Sequence, residues 1–167
     1  MPARNPREVF VTMLSAVREG TERTSDILEQ LSEAVQNPDI KQALEARVFI
    51  KDQIMSRLDQ VFKLIGEKPV KFSGRLMEVF AEDFRRELAE IQSPEARHLF
   101  ILAKASHLVH LRIGEYMLLT AAADLTGHWG AGVLLESCLA DELAFVERTR
   151  RLIRNIVEAK VAAARGA

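Results

Sequence analysis

Cysteine occurs once in this chain of 167 residues, as Cys138. An intramolecular disulfide is therefore impossible, which fits a reducing compartment. Net charge is nearly absent: 23 Lys and Arg against 24 Asp and Glu leave −1. No long-range field recruits nucleic acid or an anionic lipid surface. The opening MPARNPREVF holds no apolar signal core, so the expectation is a cytoplasmic protein. Alternating apolar–polar runs of the β type are missing, as are low-complexity segments and short internal repeats. The apolar stretch 99–125 is interrupted by Lys104, His107, His110, Arg112 and Glu115. A central Arg alone costs about 2.5–3.5 kcal/mol on insertion scales, so no membrane span is expected.

What is present is a globular balance, 48% apolar and 28% charged, written in helical period. Proline and glycine mark the boundaries. Asn5-Pro6 opens a first helix over about 6–36, and Asn37-Pro38-Asp39 stops it and caps a second over 38–65, which Gly66 ends. Ser73 can cap a shorter helix over 74–91, carrying Leu76, Val79, Phe80, Phe84, Leu88 and Ile91. Ser93-Pro94-Glu95 opens a helix over 94–126, and Gly127-His128-Trp129-Gly130 is a turn rather than a phosphate-binding loop, since it follows a helix. The last helix covers about 131–163 with Val133, Leu135, Leu139, Leu143, Val146, Ile153 and Val157 as its seam, and AKVAAARGA is expected to fray. Two helical hairpins joined by a long connection give an all-α, ferritin-like four-helix bundle. It has one long crossover containing an additional shorter helix, and residues 1–167 form a single domain.

The helix over 94–126 is apolar nearly all the way round, which predicts a central element. His107, His110, Arg112 and Glu115 in its middle must then be partnered, because an unpartnered buried polar group costs about 1–3 kcal/mol. His107 and His110 lie one turn apart and read as core or subunit-interface histidines. Glu115 reads as the partner of Arg112, three residues back. Arg148, Arg150, Arg151 and Arg154 read as a solvated face, and Cys138 as buried and inert.

Val9-Phe10-Val11-Thr12-Met13-Leu14-Ser15, Leu58-Asp59-Gln60-Val61-Phe62, Tyr116 and Leu134-Leu135-Glu136-Ser137-Cys138-Leu139 stand in an order and spacing that resembles the YciE/YciF-type family of ferritin-like proteins. The likeness spans roughly residues 8–155. It implies a five-helix fold, a homodimer, a link to bacterial stress responses and, in many members, a metal pair in the bundle core.

A carboxylate-bridged metal pair uses a Glu from each of two helices and a Glu-x-x-His from each of the other two. This chain has one Glu-x-x-His, Glu95 to His98, in the first turn of its helix, where the acid serves the dipole. By the resemblance, a first-helix glutamate falls at Thr21, with Glu22 adjacent. The second helix offers Arg47-Val48-Phe49-Ile50-Lys51 where acid is expected, and the helix over 94–126 keeps only His110 beside Arg112. The last helix keeps Asp141-Glu142. Arg112, with Arg47, is therefore expected to replace the metal's charge and to pair with Glu142 and with Glu22. The buried polar core is predicted to hold Arg47, Arg112, Glu115 and Glu142.

This favours a non-enzymatic, stress-associated structural or interaction protein with a degenerate metal site and no cofactor, a homodimer that engages neither nucleic acid nor membrane. A small-molecule substrate is not identified. The alternative is a di-iron oxidase or peroxide-handling enzyme using iron, with Glu22, Glu45, His107, His110 and Glu142 as ligands and Glu19 and Asp141 near them. A third reading, from Gly114 and Ala121-Ala122-Ala123, is a bundle that holds an apolar ligand.

Overall fold

A computed structural model of the protein describes residues 5–71 and 74–165. Six helices follow in order: α1 (Pro6–Glu33), α2 (Pro38–Phe49), α3 (Lys51–Ile65), α4 (Leu76–Glu90), α5 (Pro94–Leu125) and α6 (Trp129–Arg165). No strand occurs among the described residues.

The boundaries form where local chemistry sets them. The Asn5 side chain accepts from the Glu8 N–H, Asn37 accepts from the Asp39 and Ile40 N–H groups, and Ser93 accepts from the Ala96 N–H, each ahead of a proline in the first turn. Gly66 closes α3 in the left-handed region at φ 70°. The expected single helix over 38–65 is interrupted for one residue at Ile50, which throws Phe49 out to solvent. Ser73 lies outside the described residues. Helix α4 starts at Leu76, where Arg75 supplies no side-chain cap. Helix α6 starts two residues earlier than expected and continues through the tail to Arg165.

Helix α1 pairs with α2 and α3, α5 pairs with α6, and the two hairpins meet through α1 against α5 and α3 against α6. Helix α4 closes over α1 and α5 of the same chain. The seam of α6 is rotated from the expected one. Ala131, Leu135, Cys138, Glu142, Phe145 and Thr149 face inward at three-to-four spacing, while Val133, Leu143 and Val157 are exposed. Likewise α4 buries Met77, Ala81, Phe84 and Leu88, and leaves Leu76 and Val79 outside. Among the described residues no helix is long and apolar enough to cross a membrane.

The core divides in two. One apolar cluster gathers Phe10, Leu14, Ile54, Leu58, Phe62, Tyr116, Leu119 and Leu135. The other gathers Leu28, Leu31, Ile40, Leu44, Leu102, Leu108, Val109 and Phe145. Between these clusters the buried positions of α1, α2, α5 and α6 are polar or small, Gly20, Thr21 and Thr24, Arg47, Arg112 and Glu142, so a polar layer crosses the middle of the molecule.

Candidate functional site

The polar layer is built from Gly20, Thr21 and Thr24 of α1, Arg47 of α2, Arg112 of α5 and Glu142 of α6, all buried. Thr21 satisfies its own helix, its hydroxyl donating to the Val17 carbonyl at 2.8 Å. Two ion pairs carry the charge.

Arg47 and Glu142 form the deeper one, both side chains at 0% exposure. Arg47 Nε donates to Glu142 Oε2 at 2.9 Å and Nη2 donates to Oε1, a two-pronged contact matched to the flat guanidinium. Nη1 has no hydrogen bond. Tyr116 Oη is also buried without a hydrogen bond of ordinary geometry, although it feels the Thr21 hydroxyl. Burial, reinforced by the neighbouring Cys138, pushes the Tyr116 hydroxyl well above its usual range. Burial likewise pushes the Cys138 thiol up to about 11, against an opposing pull from Arg57. A thiol so placed stays protonated near neutrality and is a poor nucleophile.

The second pair is the Arg112–Glu115 contact expected from their three-residue spacing, and it corrects the other partners expected for Arg112. That guanidinium does not reach Glu142, which Arg47 has taken, nor Glu22, which is exposed on α1. Arg112 Nη2 donates instead to Glu115 Oε1 at 3.1 Å, with Nη1 3.0 Å from Oε2 but not aligned for a hydrogen bond. Its end lies so close to α1 that a Cβ on Gly20 would sit 2.0 Å from Nη1. Glu115 has its carboxyl raised by burial, partly offset by Arg112.

The residues proposed for a metal do not converge. Glu22 and Glu45 are exposed, Glu45 beside Lys41 at 3.9 Å. His107 and His110, expected to be covered, point away from the core, and His110 Nδ1 lies 2.8 Å from the Ser106 carbonyl. The acids nearest the layer are each held by a guanidinium: Glu19 by Arg23, Glu115 by Arg112, Asp141 by Arg57 and Glu142 by Arg47. Among the described residues no three His, Cys, Asp or Glu side chains are grouped to hold a metal ion. A divalent pair needs several unneutralised oxygens pointing at one point, and this donor set does not fit it.

The pattern of α5 hides a solvent face. Its inner side carries Ala105, Leu108, Val109, Arg112, Tyr116, Leu119 and Ala123, while His107, His110, Gly114, Met117, Leu118, Ala121 and Leu125 face outward. Sequence reasoning missed Gly20 and the burial of Thr21. Their signal was a run of small and hydroxylated residues, Gly20, Thr21, Thr24 and Ser25, at the positions where α1 should bury bulk.

A family model described as "Domain of unknown function (DUF892)" matches residues 5–162. The curated Protein YciF of Escherichia coli K12 is 25% identical over 151 residues, covering 89% of this chain and 91% of that protein. The crystal structure of the E. coli stress protein YciF has a TM-score of 0.87 at 25% identity, covering 93% of this chain and 99% of that one. YcfI from Rhodopseudomonas palustris has the same fold, with a TM-score of 0.83 at 23% identity over 88% of this chain and 94% of that one. With its arginine–glutamate layer, the chain belongs to the DUF892 family, of the YciF type.

Proposed function

We propose that this protein is a non-enzymatic, ferritin-like bundle with a stress-associated structural or interaction role in the cytoplasm. In this reading an internal arginine–glutamate pair takes the place of a metal centre. The observation that carries it is the fully buried Arg47–Glu142 contact. It engages both oxygens of Glu142, the one fully buried carboxylate among the described residues, and so competes directly with any metal for that group. The E. coli relative is called a stress protein, which supports the same class of role here.

The working unit in this reading is a homodimer joined through the outer face of α5. Met117, Leu118 and Leu125 are 60%, 53% and 87% exposed there, and contiguous apolar surface on a helix face marks an interaction site. Gly114 sits mid-helix in this face, where glycine costs about 1 kcal/mol relative to alanine. It has no positive φ, and a Cβ built on it would meet nothing within 4 Å. The reason for a glycine there is then the close approach of a partner, and a second copy crossing α5 on α5 supplies a self-complementary one.

Two assays test the two halves. Ferrous iron oxidation and peroxide consumption by the purified protein are expected to stay at the buffer rate, and saturable turnover would overturn the non-enzymatic reading. Sedimentation at micromolar concentration is expected to give a dimer that Gly114→Leu converts to a folded monomer. A strict wild-type monomer would remove the partner.

A further inference from the structure

Along α5, His107, His110, Gly114, Met117 and Ala121 recur at spacings of three and four, and all five are exposed. Positions so spaced share one stripe of a helix, the pattern of a seam between two helices. We infer that, in the α5 homodimer proposed above and on which this rests, protonation of His107 and His110 separates the two copies.

Gly114 divides the stripe into two unlike halves. The histidines lie toward the start of α5, and the exposed Met117, Leu118 and Leu125 lie toward its end. The open space over Gly114 lets two helices approach most closely there. With the helices antiparallel, a two-fold axis at Gly114 sets positions equally distant on either side of it opposite one another. His110 then stands against Leu118 of the second copy, four positions out, and His107 against Ala121 of the second copy, seven positions out. Neutral imidazoles accept such neighbours. An imidazolium there gives up its hydration without gaining a counter-charge. The Ser106 carbonyl, 2.8 Å from His110 Nδ1, can only accept. The neutral ring therefore keeps its hydrogen on Nδ1, and Nε2 takes the second proton.

The surrounding charges do not hold an imidazolium in place. On α5 itself Glu115, its carboxyl raised by burial, is engaged by Arg112. From α4, Glu87 reaches α5 and is engaged by Lys104. The antiparallel register that brings Gly132 beside Ala123 sets Glu147, Arg148 and Arg150 of α6 level with the histidines. All three are exposed, and the cations outnumber the acid. Helices α1 and α2 pack on the inner side of α5, where Leu108, Val109 and Arg112 are buried. Among the described residues neither histidine has an ion pair. The dimer is therefore favoured while both rings are neutral and is lost as pH falls and they charge.

Sedimentation velocity of the full chain over a concentration series tests this at about pH 7.5 and about pH 5.5, roughly one unit either side of the usual imidazole value. The dimer dissociation constant is expected to rise at least about a hundredfold at the lower pH, about tenfold for each of the two His110 rings that must stay neutral. His107→Gln/His110→Gln is expected to remain a dimer at both pH values, with far-UV circular dichroism checking the fold. His107→Leu/His110→Leu, which extends the apolar stripe, should do the same and decides the matter if the glutamine variant fails to fold. The chain's other two histidines lie off the stripe, His98 in a groove with Ala34 and Ile91 and His128 in the turn after α5. His98→Gln/His128→Gln should therefore respond to acid as the wild type does. The switch is overturned, and the homodimer left standing, by a wild-type dimer equally tight at both pH values or by loss of the response in His98→Gln/His128→Gln. The same holds for a folded variant at 107 and 110 that dissociates in acid or is monomeric at neutral pH. A wild-type monomer at neutral pH would overturn both.

Discussion

Breaking the Arg47–Glu142 pair from one side should cost far more than removing both partners together. Neither side chain touches solvent, so screening by water or salt does not soften the loss. Arg47→Met leaves a carboxylate inside the bundle with its charge uncompensated. Glu142→Leu strands a guanidinium whose Nη1 is already without a hydrogen bond. Each single substitution is expected to destabilise by about 3–5 kcal/mol, the usual cost of orphaning one member of a buried pair. For a domain of this size that is a fall in Tm of about 6–20 °C, at about 2–4 °C per kcal/mol. The double variant Arg47→Met/Glu142→Leu removes both desolvated charges, and replacements of this kind are neutral or stabilising by about 1–4 kcal/mol. Urea unfolding of the four proteins at one fixed concentration, which holds any association constant, gives the cycle directly. The reasoning is refuted if either single variant loses less than about 1 kcal/mol, or if the double variant loses as much as the two singles added.

Four further outcomes follow from three residues. Cys138 should resist alkylation in the folded protein at mildly alkaline pH and react at once in denaturant; fast native labelling would contradict its placement. Its thiol is raised by burial from the ordinary 9.0 to about 11, so the folded state binds a proton that the unfolded state releases. Its contribution to stability is present below about 9 and is lost as pH climbs through about 11; Cys138→Ala should flatten that part of a stability-against-pH curve. Gly66→Ala places a side chain at φ 70° and should destabilise by roughly 1 kcal/mol, while Asn37→Ala, which removes two N–H contacts at the start of α2, should cost about 1 kcal/mol. Both are read by urea unfolding, and unchanged midpoints would contradict the capping roles.

The caps at Asn5, Asn37, Ser93 and Gly66 were legible in the sequence because each acts within about one turn of its own position. The two-hairpin topology followed from loop lengths and the long connection. The Arg112–Glu115 contact was legible as a pair three residues apart on one helix, but the deeper pair was not, since Arg47 and Glu142 are 95 positions apart. Two cations, Arg47 and Arg112, stand at the same level of the bundle, and only the rotation of each helix decides which meets the acid. The α6 seam was misread for a related reason. Its buried stripe contains Ala131, Cys138, Glu142 and Thr149, residues that hydropathy does not mark as core, while Val133 and Leu143 lie off the stripe. Helix α5 looked central on all sides because the outer Met117, Leu118 and Leu125 are as apolar as the residues it buries, and period alone cannot tell a core face from a partner face.

The account rests on a guanidinium holding the innermost carboxylate of the bundle. Elemental analysis of protein purified without chelators tests this most directly. Iron, manganese and zinc are expected far below one ion per chain, and supplying iron during expression should not change that. A reproducible pair of metal ions in each chain, lost on Glu142→Leu, would contradict it.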